Sequence, residues 1–185
     1  MYINYNSNFE ILNCIFFNNT SQKESGGGIY FTSLSKSSTL IVTDSLFWLN
    51  SAPQQEGGAI LSNQIKLLVI KNSSFIANSA KMGGALTINP SSNDIQIPYK
   101  IIDSSEPFKP RIYQIDYDKI VYIYITNSLF EFNYAYKSAG AIDLDFQFAP
   151  QKYYLGPPRI NQTRFISNHA RYGGAAMRIN GLNET

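Results

Sequence analysis

The chain has one cysteine, one histidine and one tryptophan in 185 residues. A lone Cys14 excludes an internal disulfide framework, and a lone His169 excludes a zinc site built on clustered histidines. Charge is also scarce, at 15% of residues against roughly 25% in an average soluble domain. The net charge is +2 and the basic residues are scattered, so the electrostatic stripe that nucleic acid requires is missing. No apolar run approaches the ~18 residues of a membrane span; the longest, IVYIYIT at 120–126, is strand-length. The opening MYINYNSNFE has no basic-then-apolar order, so any secretory signal is expected outside this chain. Helical i, i+3, i+4, i+7 patterning is absent as well. What remains is ordinary hydrophobicity, 44%, with generous aromatic content, 14%. That balance excludes a disordered chain and suffices for one sizeable core.

One phrase is present five times. Phe16, Phe47, Phe75, Phe130 and Phe165 are each followed three residues later by Asn19, Asn50, Asn78, Asn133 and Asn168. Two residues before each Phe stands a small side chain: Cys14, Ser45, Ser73, Ser128 or Thr163. Before that comes Asn13, Asp44, Asn72, Asn127 or Gln162. A glycine cluster closes each copy: GGGI at 26–29, GGAI at 57–60, GGAL at 83–86, AGAI at 139–142 and GGAA at 173–176. Ten of the twelve glycines lie in these clusters, so repetition is architectural and precedes any chemical motif.

Upstream of each Phe, apolar residues alternate, as in Leu40 and Val42 or Leu68 and Ile70; this is a strand with one buried face. Ile70, Phe75 and Ala80 are five apart, and odd separations invert the face of a straight strand. Two corners must intervene, and the pattern places them at Asn72 and Asn78, since Asn tolerates left-handed backbone. Strand, corner, short strand, corner, loop and glycine-marked strand make one coil of a solenoid. Successive Phe positions differ by 31, 28, 55 and 35 residues. The longest gap makes residues 93–120 either an insertion or a degenerate coil, within a single unit over 1–185. A period near 30 without helices predicts an all-β parallel β-helix of about five to six coils. A leucine-rich repeat requires a large apolar residue five before its Asn, where this chain has Cys14, Ser45, Ser73, Ser128 and Thr163. Stacked coils put the five Phe in an inward aromatic ladder and the five Asn in an amide ladder.

The FxxN phrase followed by GGA and an aliphatic residue resembles the paired motif of the polymorphic outer membrane protein family. Phe47 to Asn50 with Gly57 to Ile60, and Phe75 to Asn78 with Gly83 to Leu86, carry it most fully. The resemblance covers roughly residues 9–87 and 121–177. It implies a right-handed, pectin-lyase-like β-helix at the cell surface or outside the cell. Related repeats occur in very large surface proteins of AT-rich protists. Two departures stand out: Ala139 replaces the first glycine of the fourth copy, and Ala176 the aliphatic residue of the fifth.

Candidate chemistry is thin. Asp143 and Asp145 share a strand face, as do Asp116 and Asp118, and either pair could present two carboxylates; the plainer expectation is solvent-facing strand charges. His169 reads as a turn residue beside the ladder, and Cys14 as a small structural residue rather than a nucleophile. No glycine cluster is followed by Lys-Ser/Thr, which excludes a phosphate loop. Of five N-x-S/T sequons, Asn19 and Asn72 are expected to be inaccessible, leaving Asn18, Asn161 and Asn183 as candidate glycosylation sites. Residues 93–120 break the repeat and are the default binding segment. No catalytic residue, cofactor or metal is expected. The reading is a non-enzymatic scaffold for adhesion, recognition or assembly. Its expected partners are other protein chains or the rest of a longer β-helix, with glycans a further candidate and no nucleic acid or membrane span. The alternatives are a polysaccharide lyase or hydrolase using Asp143 and Asp145, and a structural subunit of a large intracellular assembly.

Overall fold

The structure is a computed structural model; it describes residues 1–4, 8–33, 38–63, 65–89, 99–101, 113–115, 120–145, 154–155 and 158–180. Among these there is no helix, so none is long and apolar enough to cross a membrane. Four all-parallel sheets stack side by side, each taking one strand from successive coils, and this is a parallel β-helix. The apolar-alternating strands Phe9–Leu12, Thr39–Thr43, Leu67–Lys71, Ile120–Thr126 and Arg159–Asn161 form one wall. The three-residue strands Ile15–Phe17, Leu46–Trp48, Ser74–Ile76, Leu129–Glu131 and Arg164–Ile166 form the next, each centred on its Phe. Ser51–Glu56, Ser79–Met82, Tyr134–Ser138 and His169–Ala170 follow. The six strands Tyr2–Asn4, Ile29–Thr32, Ile60–Asn63, Leu86–Asn89, Ile142–Asp145 and Met177–Asn180 complete the coils after the glycine clusters. Leu68 pairs Ile123, Phe75 pairs Phe130 and Leu86 pairs Ile142, so the coils on either side of residues 90–119 are immediate neighbours. In sequence between these coils lie two short strands, Tyr99–Ile101 and Tyr113–Ile115, paired antiparallel.

The core follows from the register. Phe16, Phe47, Phe75, Phe130 and Phe165 stack at centroid separations of 4.7, 4.8, 4.8 and 5.2 Å, with planes within 12° of parallel. Free aromatic pairs prefer offset or edge-on contact; here the backbone repeat of about 4.8 Å imposes face-to-face stacking. The three central rings are fully buried. Each contributes roughly 1.5–3 kcal/mol of hydrophobic stabilisation.

Both corners use left-handed backbone. Asn13, Asp44, Asn72, Asn127 and Gln162 make the first, at φ between 48° and 55°. The second is not made by the ladder Asn, as the pattern suggests, but by the residue before it: Asn18, Leu49, Ala77, Phe132 and Ser167, at φ 50° to 57°. Side chains other than Gly, Asn and Asp pay about 1–2 kcal/mol there. Leu49→Asn is therefore expected to raise stability by about 0.5–1 kcal/mol, since Asn tolerates this region, measured as a higher thermal midpoint. An unchanged or lower midpoint would show that Leu49 is not strained.

The glycine clusters are close approaches. A Cβ on Gly58 would lie 2.1 Å from the Gly84 carbonyl oxygen, and one on Gly84 2.2 Å from that of Gly140. In the fifth coil Ala175 occupies this position, because Gly140 meets the Ala175 carbonyl and no described coil follows to collide with it. The fifth cluster is therefore Gly174–Met177 rather than 173–176, one residue later than the sequence alignment. Met177 pairs Ile142 and fills the aliphatic position, so Ala176 replaces nothing.

Candidate functional site

Many of the described polar side chains are consumed by stacking, and a buried cluster is not. The amide ladder is of the first kind. Asn50 Nδ2 donates to Asn78 Oδ1 (3.0 Å), and Asn78 Nδ2 donates to Asn133 Oδ1 (3.1 Å). Asn19 and Asn133 do the same to Asn50 and Asn168 at 2.8 and 2.9 Å. Each Oδ1 also accepts the main-chain N–H of the preceding ladder Asn. The second amide hydrogen of Asn50, Asn78, Asn133 and Asn168 goes back to the carbonyl of Phe16, Phe47, Phe75 and Phe130. Asn50, Asn78 and Asn133 are fully buried, where an unmet donor or acceptor costs about 1–3 kcal/mol. The small position before each Phe is a second ladder. Ser45, Ser73 and Ser128 hydroxyls accept the main-chain N–H of Cys14, Ser45 and Ser73. Cys14 Sγ donates to the Leu12 carbonyl at 3.2 Å, and no described coil before it needs an oxygen at that place.

The unconsumed cluster sits on the outward rows of the six-stranded sheet. One row reads Tyr30, Leu61, Thr87, Asp143, Arg178; its neighbour reads Thr32, Asn63, Asn89, Asp145. Contrary to the solvent-facing expectation, Asp143 is fully buried and Asp145 nearly so. Arg178 Nε and Nη2 grip the two oxygens of Asp143 at 2.8 Å each, and Nη2 reaches Asp145 Oδ2 at 2.8 Å. Burial pushes the Asp143 carboxyl above its ordinary value. Arg178 counteracts this incompletely, and Asp145 and Glu56 add to the upward push. The hydrogen bond to Asp143 raises the Arg178 guanidinium further. Alongside, Asn89 Nδ2 donates to Glu56 Oε2 (2.9 Å) and Asn63 Nδ2 to the Tyr30 hydroxyl (3.2 Å). The Oδ1 atoms of Asn63 and Asn89 are buried without a partner. Chemically this is a carboxylate pair sharing one guanidinium, with spare amide acceptors alongside. No group of three His, Cys, Asp or Glu able to hold a metal occurs among the described residues.

The remaining candidates scatter. Asn18 and Asn161 are exposed, and Asn183 lies outside the described residues. Asn19 and Asn72 are exposed too, against expectation. No described coil covers Asn19, and Asn72 turns outward to donate to Asp44 Oδ1 at 3.0 Å. His169 stacks on Tyr134, 5.5 Å between centroids. Asp116 and Asp118, and most of 93–120, lie outside the described residues.

Three comparisons bear on this geometry. Residues 13–32 match the Chlamydia polymorphic membrane protein repeat, a repeat of surface-associated, non-enzymatic proteins. The chain is 33% identical over 138 residues to metabotropic glutamate receptor-like protein R of Dictyostelium discoideum. That alignment covers 75% of this chain and 8% of the receptor-like protein, so the chain corresponds to a small part of its relative. No solved structure matches significantly.

Proposed function

We propose that this chain is a non-enzymatic β-helix scaffold at the cell surface or outside the cell, and that it presents its outer walls for adhesion, recognition or assembly within a larger complex. The observation that carries this reading is the use of the recurring polar residues. The ladder Asn and the Ser two residues before each Phe are bonded to a neighbouring coil, so their repetition serves rigidity. The surface-protein repeat and the receptor-like relative support the same reading. Long-range ladders build a stiff rod without disulfides, which suits display of side chains at fixed spacing.

Three experiments test it. Antibody against this chain should label intact, unpermeabilised cells of the source organism; label only after permeabilisation would favour the intracellular assembly. Acidic and neutral polysaccharides should remain uncleaved by the wild-type protein and by Asp143→Asn alike. Cleavage that Asp143→Asn abolishes would establish the enzyme instead. An intact glycan found at exposed Asn161 by mass spectrometry would independently exclude an intracellular site.

A further inference from the structure

The wall formed by Ser79–Met82, Tyr134–Ser138 and His169–Ala170, with the corner leading into it, holds two features that stacking does not explain. The first is apolar. At the corner, Leu49 and Phe132 have positive φ, 57° and 53°, and are also 41% and 57% exposed. A bulky side chain in left-handed backbone is an outlier, and an apolar one this exposed gains only part of the benefit of burial in this chain. Between them in the corner row stands Ala77, so two large side chains flank a notch at coil spacings of about 4.8 Å each.

The second feature is cationic and aromatic. The Arg171 guanidinium lies between Tyr136 and Tyr172, 5.2 and 5.3 Å from their ring centroids, and Nη1 donates to the Tyr136 hydroxyl at 3.0 Å. Stacking on two rings fixes its plane while its other N–H groups stay free for a carboxylate. Tyr136 and Tyr172 are 48% and 59% exposed. Lys81 and Lys137 flank them, and residues 79–82, 134–138 and 169–172 contain no Asp or Glu; the acidic groups nearest in the wall and its corner are Glu56, already held by Asn89 Nδ2 at 2.9 Å, and Glu131 beside Phe132. Tyr and Arg beside apolar anchors are the composition of energetic centres in protein interfaces. The notch and its large apolar walls offer a polysaccharide little.

We propose that this wall docks an acidic, amphipathic protein segment: an apolar side chain seated over Ala77 between Leu49 and Phe132, and a carboxylate on Arg171. The proposal rests on the recognition reading and names its partner chemistry. Random linear peptides displayed on phage and selected on the immobilised chain provide the test. Enriched peptides should pair Asp or Glu with large apolar residues and should bind more weakly as salt rises. Arg171→Ala and Phe132→Asn should each weaken them about tenfold, while Lys71→Ala on another wall should not. Both variants alter exposed positions, and thermal midpoints no lower than that of the wild type establish that the fold is kept. The proposal is overturned if no peptide is enriched, if enriched peptides lack acidic residues, or if the two variants bind them unchanged. It is equally overturned if hyaluronate or heparin oligosaccharides bind with this variant dependence and peptides do not. None of these outcomes affects the scaffold reading, which falls only to Asp143-dependent cleavage or an intracellular location.

Discussion

Asn78→Ala will cost roughly 3–6 kcal/mol, because it strands several buried groups at about 1–3 kcal/mol each. The Asn50 main-chain N–H and Nδ2 lose their shared acceptor, and the Phe47 carbonyl loses its donor. Against a total stability of about 5–15 kcal/mol, such a loss is visible in any urea or thermal unfolding curve. Asn19→Ala removes one ladder bond, the donation to Asn50 Oδ1, at an exposed position and should cost no more than about 1 kcal/mol, as water satisfies the freed groups. Equal effects at the two positions would contradict the amide ladder as a source of stability. Asn78→Asp sharpens the point. Its carboxylate would face the Phe47 carbonyl and Asn133 Oδ1, both acceptors, so the folded state favours the protonated acid. The folded pKa is then raised. The variant's stability relative to wild type is best below the unfolded Asp value of about 3.9, and it is lost as pH rises through the folded value.

The ladders are legible in the sequence because stacking forces identity: Phe75 sits on Phe47 and under Phe130 at one ring spacing, and no other residue meets the same shape. The second corner is less legible. Asn is favoured both for left-handed backbone and for amide ladders, so Asn78 is assigned the bend that Ala77 makes. The Asp143–Arg178 pair is hidden by a related ambiguity. Aligning the fifth glycine cluster on residues 173–176 sets Met177 against Asp143 and points Arg178 into the core. The structural register moves it by one residue and places Arg178 directly beside Asp143. A one-residue slip inverts the face of every side chain that follows. Alternation likewise tells that Asp143 points outward but not that its outward side is buried. The corner residues Leu49 and Phe132 carry no repeat signal, and their strain exists only in the folded backbone.

Arg178→Ala should cost about 2–4 kcal/mol near neutral pH, below the full penalty of breaking a buried pair because a quarter of the Arg178 side chain is exposed. What remains in the variant is two carboxylates, Asp143 and Asp145, with their shared guanidinium gone. The pH dependence identifies the cause. Burial already holds the Asp143 carboxyl above its ordinary value despite Arg178, so removing Arg178 must raise it further. A carboxyl with a raised folded pKa contributes its full stability below the unfolded value of about 3.9, and loses it as pH climbs through the folded value. In Arg178→Ala that loss extends to higher pH. The gap between wild type and variant should therefore be small at about pH 4 and widest near pH 7. Asp143→Asn leaves an amide oxygen to accept one Arg178 N–H and no charge to bury, so alone it should shift stability by about 1 kcal/mol. Combined with Arg178→Ala it should recover part of the loss at neutral pH, because the buried Asp143 charge is gone. Urea unfolding of all four proteins at both pH values closes the cycle. A cost for Arg178→Ala that is the same in acid as at neutrality, or a double variant no better than the single one, would show that Arg178 acts by packing and not by its charge.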